Sequence, residues 1–355
     1  MRRSGTVFML CLMGLTASFT AESSTGREVK YLKPEEFAIL AWGDVPADRE
    51  LVRGIYECGF NLAGIVPVER LDMIREVGLK CFVQDPSVTG AIPDTSMSEA
   101  EIERRVRSVL TRVADHPAVF GYYLWDEPSA SLFSQLGRWM AAFRKLGPTT
   151  PAYINLFPNY ASAAQLGTAT YEEHLERYLT TVKPTILCYD HYALMEDGTL
   201  RDGYFQNLEA ARSASLKHSV PFWNVVLGNA HFHYAEPSPA GLRFQAYTTL
   251  AYGARGIAYF TYFAPPIGNY RLASVDQFGH RTPTWDMLRN VNLQIHTIGP
   301  AYLKLRSVNV FHHPNVPQGC QGTTSARLVE AVTGGDLLVG EFEGRDGSPW
   351  ALVVN

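Results

Sequence analysis

The sequence predicts an α/β protein, a (β/α)8 or TIM barrel of eight parallel strands followed by the start of a small C-terminal antiparallel β domain. The barrel is predicted because eight short apolar runs alternate with amphipathic helical stretches between residues 37 and 304, a length that suits one such unit. The β domain is predicted because the pattern after Pro300 changes to short alternating runs separated by Gly-rich turns.

Each predicted strand is a short apolar run followed by a polar loop and a helix. The strands are predicted at 37–42, 61–68, 80–85, 121–127, 152–157, 185–190, 222–227 and 256–263. The helices are predicted at 48–57, 69–77, 98–114, 131–145, 171–182, 203–217, 238–253 and 284–304. This alternation implies parallel strands with right-handed crossovers. A doubly wound open sheet is the alternative, but the first strand is followed by AWGDVP instead of a Gly-rich phosphate loop.

The chain begins with a pattern typical of an export signal. Residues 1–21 carry Arg2 and Arg3, then an apolar stretch that is too short to span a bilayer, then small residues. We therefore expect a secreted or periplasmic protein with no membrane span. The barrel is predicted over 30–306 and the β-rich domain over 307–355, and we expect this domain to be incomplete because its last run stops in mid-pattern.

The composition excludes some classes of partner and cofactor. With 46% hydrophobic and 19% charged residues and a formal net charge of -4, the chain has no basic surplus that would predict nucleic acid binding. Cys58 and Cys81 are expected on the same bottom face of the barrel, which leaves a disulfide between them open in an exported protein. No CxxC or Cys/His spacing predicts zinc, and no cofactor is implied.

The run GYYLWDEPS at 121–129 is the most informative segment. An aromatic strand stops at two acids, Asp126 and Glu127, and Pro128 then ends the strand. Barrels of this kind present catalytic acids at the C-terminal ends of their strands. The alternative is that Asp126 caps the following helix, which does not account for Glu127.

Other strand ends contribute aromatic and polar side chains to the same predicted rim. We expect a carbohydrate substrate to be lined by Trp42, Tyr123, Asp126, Asn155, His191, Tyr192, Asn224 and Tyr262. Lysine and arginine are almost absent from these strand ends, which favours a neutral polyhydroxylated ligand over a phosphate.

Hydrolysis of a glycosidic bond needs two carboxyl groups, one to protonate the leaving oxygen and one to act as nucleophile or to activate water. Glu127 is the predicted proton donor, because an apolar, aromatic setting disfavours its ionised form. A structural salt bridge at the rim is the alternative role for this glutamate.

With these residues in place, the chain resembles the retaining glycoside hydrolases of the clan-A (β/α)8 type, and especially the family 42 β-galactosidase-like branch. The stretch WDEP at 125–128 matches the Asn-Glu-Pro motif after strand 4, with Asp126 in the Asn position. The segment 246–263 resembles that branch's approach to strand 8. The resemblance covers roughly residues 35–305 and implies a glycosidase with Glu127 as its general acid/base.

The chain departs from this family at strand 7, where the family places its nucleophile. Here PFWNVVLGN at 221–229 contains no acid. Asp190, at the end of strand 6, is the predicted second catalytic carboxylate, because strand ends 4 and 6 can face each other across the barrel mouth. Asp126, Glu196 and Glu236 remain alternatives.

Two further functions are left open by the sequence. The missing strand-7 acid favours a carbohydrate-binding barrel that has lost catalysis. The pair His231 and His233 suggests a metal-dependent hydrolase, but such barrels carry more strand-end histidines than the single His191 found here, so no metal site is predicted.

Overall fold

The computed structural model describes residues 32–33, 35–147 and 151–355, so the predicted export signal at 1–21 lies outside the described residues. Eight parallel strands close into a barrel in chain order, which confirms the predicted fold class. They are β1 (Ala38–Ala41), β2 (Leu62–Pro67), β3 (Lys80–Gln84), β4 (Val119–Asp126), β5 (Ala152–Leu156), β6 (Leu187–Asp190), β7 (Phe222–Leu227) and β8 (Gly256–Phe260).

Helices follow the strands around the outside of the barrel. They are α1 (Arg49–Glu57), α2 (Leu71–Val77), α3 (Pro86–Thr89), α4 (Glu99–Val113), α5 (Phe133–Leu146), α6 (Ala163–Leu166), α7 (Tyr171–Thr181), α8 (Tyr204–His218), α9 (Pro239–Ala251) and α10 (Pro283–Tyr302). The single-turn helices α3 and α6 were not expected from the sequence. Several helices begin at a side-chain cap, as at Asp48 and Ser98, whose oxygens accept first-turn amides.

The core has two layers because successive strand residues point to opposite faces of the sheet. The inner layer fills the barrel with large rings, among which Phe82 and Tyr153 stack with centroids 4.4 Å apart. Gly256 makes room for one of these rings, since a Cβ there would lie 2.5 Å from Trp223. The outer layer packs the sheet against the helices. This alternation decides which strand residues can reach the barrel mouth.

A three-stranded antiparallel sheet follows the barrel, with β10 in its centre. It contains β9 (Arg306–His313), β10 (Leu337–Glu343) and β11 (Pro349–Val354). The Tyr252 hydroxyl lies 2.9 Å from His312 Nε2, and Arg212 donates to the Ser307 hydroxyl at 3.0 Å, so polar contacts join the sheet to the barrel.

The run at 326–332, one of the alternating runs after Pro300 that the sequence predicts as antiparallel β, does not form a strand. This stretch is irregular because its backbone amides bind a side chain instead of another strand. Arg327, Leu328 and Val329 donate to the fully buried carboxylate of Glu341 at 2.7–3.1 Å. Asn309 donates a further hydrogen bond to the same carboxylate at 2.8 Å.

The described cysteines are all free thiols, so Cys58 and Cys81 do not form the disulfide that the sequence left open. Each is buried and lies near a backbone carbonyl, that of Trp285 for Cys58 and that of Ala118 for Cys81. Within the described ranges, no helix combines the length and apolar character needed to cross a bilayer.

Replacing Glu341 by glutamine should destabilise the C-terminal sheet, because the amide puts an N–H group where backbone N–H donors need an acceptor. We expect the free energy of unfolding to fall by about 2–4 kcal/mol in urea denaturation. Glu343→Gln is the matched control, since Glu343 is partly exposed and pairs only with Arg306 among the described residues, and it should cost less than about 1 kcal/mol. Equal, small effects of the two substitutions would contradict this account of the 326–332 segment.

Candidate active site

A β-bulge near the end of β4 aims the acidic motif into the barrel. Tyr123 pairs with Tyr153 of β5, but Trp125 pairs with the very next residue, Ile154, so Leu124 is an extra residue. Strict alternation from the inward-facing Tyr123 would have pointed Asp126 outward. The bulge reverses this, and Asp126 instead turns inward beside Asn155.

Glu127 has an unusual backbone conformation at the end of the same strand. Its φ angle is 45°, in the left-handed region, which costs a residue with a Cβ about 1–2 kcal/mol. The Glu127 N–H donates to the Asn155 carbonyl at 2.8 Å, so the sheet continues through this residue. Pro128 follows at once and ends the ladder.

The side chains of Glu127 and Asp190 are neighbours at the ends of β4 and β6, on either side of β5, and they interact electrostatically. Burial and the charge of Asp126 raise the pKa of Glu127 to about 7, while the neighbouring Asp190 acts in the opposite direction. Burial and the charges of Glu127 and Asp126 raise the pKa of Asp190 well above its usual range. The pair therefore titrates as a unit and retains a proton near neutral pH.

Two polar neighbours interact with the acids at the mouth, one with Asp126 and one with Asp190. Asn155 donates through Nδ2 to Asp126 at 3.0 Å, which fixes the direction of its amide. The Tyr192 hydroxyl donates to Asp190. Burial also raises the pKa of Asp126, so three acidic groups with raised pKa values lie together at the mouth.

A cavity of about 570 Å³ opens at the barrel mouth and reaches Tyr123 on β4, the strand that ends at Asp126. Its lining includes Trp42, Gln84, Tyr123 and Phe260, and the Trp42 and Phe260 rings lie 5.5 Å apart. Phe260 also stacks on Tyr192 at 5.5 Å, so aromatic faces lead from the cavity to Asp190. Flat apolar faces next to hydrogen-bonding groups suit a ligand with apolar and polar faces.

The structure does not bring three of the predicted substrate-binding residues to the mouth. Asn224 points outward and donates to Thr249 of α9 at 2.9 Å, because Trp223 and Val225 occupy the inward positions of β7. Tyr262 also points outward, and its hydroxyl accepts from Trp285 of α10 at 3.0 Å.

His191, the third of these, lies behind Asp190. It is fully buried between the rings of Tyr160 and Tyr204, at 5.0 and 5.3 Å. Burial lowers the pKa of His191 to about 3, so its ring is neutral. The residue therefore packs against the wall of the site.

A hairpin after β6 contributes residues that the strand-end analysis missed. Leu194 pairs with Leu200 across a turn at Asp197 and Gly198, which returns Arg201 to the mouth. The guanidinium of Arg201 lies over the Tyr160 ring, 4.3 Å from its centroid. The Asp-Gly pair between two leucines is a hairpin signal that was available in the sequence.

The histidine pair on the loop after β7 is split between two environments. His231 is buried and stacks on Tyr270 at 5.2 Å, whereas His233 is exposed and lies 2.9 Å from Glu196. No group of three or more His, Cys, Asp or Glu side chains is placed to hold a metal ion among the residues that the structure describes. Glu196 and Glu236, the alternative acids, are both exposed.

Comparison with known proteins finds similarity in structure only. No family model matches the chain, and no curated protein sequence matches it either. The β-galactosidase of the psychrophilic Marinomonas ef1 superposes with a TM-score of 0.56 at 12% identity, over 77% of this chain and 63% of that one. The β-galactosidase of Halorubrum lacusprofundi gives a TM-score of 0.53 at 12% identity, over 73% and 58%.

A family 42 β-galactosidase from G. stearothermophilus, solved as a catalytic mutant, gives a TM-score of 0.52 at 10% identity, over 78% of this chain and 59% of that one. This chain thus spans less than two thirds of the length of each of the three. At the level of the fold, the resemblance to clan-A (β/α)8 glycoside hydrolases is confirmed.

Removing the charge of Asp126 should lower the pKa of Glu127, because that charge opposes ionisation of its neighbour. We expect Asp126→Asn to shift the titration of the Glu127 carboxyl carbon to lower pH in ¹³C NMR. Asp44→Asn, which removes an exposed carboxylate from the cavity lining, is the control and should leave the Glu127 titration unchanged. An unchanged Glu127 titration in Asp126→Asn would show that the two side chains do not interact.

Proposed function

We propose that the protein is an exported glycoside hydrolase that cleaves glycosidic bonds in oligo- or polysaccharides with two carboxyl groups. Glu127 is the general acid/base, and Asp190 is the second carboxylate. The observation that carries this proposal is that two neighbouring carboxyl groups with raised pKa values lie at the ends of β4 and β6, near an aromatic-lined cavity at the barrel mouth. Export rests on the N-terminal sequence pattern alone.

The two acids have environments that suit different tasks. Glu127 is partly exposed and has a long side chain, so it can turn towards a leaving oxygen. Its pKa of about 7 keeps a substantial protonated fraction at neutral pH, as a general acid needs. Asp190 is buried and held by Tyr192, so it is the more fixed of the pair and suits attack on the sugar or on a water molecule.

Catalysis requires the pair to separate when a sugar binds. The carboxyl groups of retaining glycosidases lie about 5–5.5 Å apart, and those of inverting ones about 6.5–9.5 Å apart, because the scissile bond or a water fits between them. Here the two groups are close enough for each to influence the pKa of the other. We propose that a sugar ring entering from the cavity displaces the Glu127 side chain from Asp190 and so opens this gap.

A carbohydrate-binding barrel without catalysis is the second candidate. It is favoured by β7, where the inward-facing residues Trp223 and Val225 are apolar and no acid is present. In this alternative the Glu127–Asp190 interaction is permanent and only holds the strand ends together. The aromatic cavity would then bind sugars with no second group to attack them.

Glu127→Gln distinguishes the two candidates. If Glu127 is the general acid, turnover should fall by at least about 10²-fold for substrates with poor leaving groups, because glutamine cannot donate the proton. Sugar binding, followed by calorimetry, and the thermal unfolding temperature should change little. A screen of nitrophenyl α- and β-glycosides and of plant and bacterial polysaccharides supplies the substrate for the assay.

Glu69→Gln is the matched control, since Glu69 is an exposed glutamate that follows β2 at the same end of the barrel. It should retain full turnover. Turnover that survives in Glu127→Gln would sink the assignment of the general acid. Sugar binding with no turnover in the unmodified protein would favour the binding barrel.

A further inference from the structure

The hairpin after β6 places a guanidinium group at the edge of the candidate site. The Arg201 N–H donates to the Ala193 carbonyl at 2.7 Å, which closes the hairpin and returns the chain to the end of β6. The side chain then lies between two tyrosine rings, with its central carbon 4.3 Å from the Tyr160 centroid and 5.2 Å from the Tyr234 centroid. Arg201 is therefore held by aromatic faces, which fix its position without neutralising its charge.

Arg201 has hydrogen-bonding capacity that the protein does not use. Its Nη2 donates one long hydrogen bond, 3.3 Å, to the Tyr234 hydroxyl, and its Nε is buried with no hydrogen-bond partner in the described residues. No carboxylate of the described chain lies within ion-pair distance of it, whereas Arg212 pairs with Glu209 and Arg281 with Glu57. A guanidinium offers five donors, and buried donors left unpaired are costly.

The two tyrosines that hold Arg201 also connect it to the carboxyl pair. The Tyr234 ring packs edge-on against Tyr192 at 5.5 Å, and the Tyr192 hydroxyl donates to Asp190. The Tyr160 ring lies 5.0 Å from that of His191, the residue that follows Asp190 in the chain. The rings of Tyr234 and Tyr192 thus connect Arg201 to Asp190.

We propose that Arg201 binds an anionic substituent of the sugar, either the carboxylate of a uronic acid or a sulfate ester, in the subsite next to Asp190. The planar guanidinium matches the two oxygens of a carboxylate or sulfate and binds them with charge-assisted hydrogen bonds. This proposal departs from the sequence-based expectation of a neutral ligand, which considered the strand ends and not the hairpin. The inference rests on the proposed function for its sugar, but its test needs no turnover.

The competing role for Arg201 is structural, as a clamp between Tyr160 and Tyr234 that stiffens the hairpin. A clamp would act on all ligands alike and would not distinguish a charged sugar from its neutral parent. The charge dependence of binding therefore separates the two roles.

Binding of acid and neutral sugars to the intact protein tests the proposal by isothermal titration calorimetry. The probes are D-glucuronate against D-glucose, D-galacturonate against D-galactose, and galactose 6-sulfate. We expect at least one anionic sugar to bind about tenfold or more tightly than its neutral parent. A preference among the uronates or for the sulfate identifies which anion the site takes.

Three variants complete the experiment. Arg201→Gln should abolish the preference for the anionic sugar while leaving the weaker binding of the neutral one, and Arg201→Lys should retain part of the preference. Arg107→Gln, at an exposed position on α4, is the control and should behave as the unmodified protein does. Thermal unfolding of each variant checks that the hairpin change has not unfolded the barrel.

The proposal is overturned if no anionic sugar binds more tightly than its parent, including the case in which none binds at all. It is equally overturned if Arg201→Gln keeps the preference or weakens both kinds of sugar by the same factor. A preference for anionic sugars in a protein that hydrolyses no glycoside would refute the proposed hydrolase and keep this inference. Hydrolysis of neutral glycosides with no preference for anionic sugars would refute this inference and keep the proposed hydrolase.

Discussion

The close placement of the carboxyl groups of Glu127 and Asp190 is the constraint on which the rest of the mouth depends. Two neighbouring acids in a buried setting cannot both be ionised without strong repulsion, so one of them keeps a proton near neutral pH. The surrounding groups fit this constraint: Tyr192 donates to Asp190, and Asn155 holds Asp126 beside the pair. Carboxyl groups that share a proton are a usual means of preparing one acid to donate and the other to attack or to act as base.

Local departures from regular strand geometry bring these acids together. The bulge at Leu124 rotates the end of β4 so that Asp126 faces inward, and the left-handed backbone of Glu127 turns the chain as the strand ends. Regular strand pairing offsets the conformational cost of the left-handed backbone at Glu127, since the Glu127 N–H still donates to the Asn155 carbonyl of β5. Strain and a bulge gathered at the end of the strand that carries the acids favour a functional role for this end.

Much of the fold was predictable because two separate features of the sequence indicate it, the composition of the strands and the periodicity of the helices. All eight barrel strands lie within the predicted runs or a few residues from them, and β7 matches at both ends. The error at 326–332 arose because its apolar residues alternate as in a strand, while the buried Glu341 that binds their amides is distant in sequence. Strand propensity is a local property of the sequence, so it carries no information about a hydrogen-bond partner that is distant along the chain.

The candidate site was predictable where a residue's position depends on its own strand end, as for Glu127 and Asp190. Asn224 and Tyr262 were predicted at the mouth because they are polar, but the alternation of side chains along a strand points both of them outward. At β8, the same alternation points Phe260 inward. Arg201 was missed because its place depends on a hairpin that folds back over the strand end. The bulge that orients Asp126 was not predictable from the sequence either.

The most direct test of the central claim is a crystal structure of Glu127→Gln with an intact oligosaccharide substrate bound. The account predicts a sugar between the two side chains, with the introduced amide at position 127 beside the glycosidic oxygen and the Asp190 carboxylate on the opposite side of the anomeric carbon. The separation of the two groups should then be about 5–5.5 Å for a retaining enzyme or about 6.5–9.5 Å for an inverting one. A substrate bound elsewhere on the barrel, with the side chains at 127 and 190 still adjacent, would contradict the account.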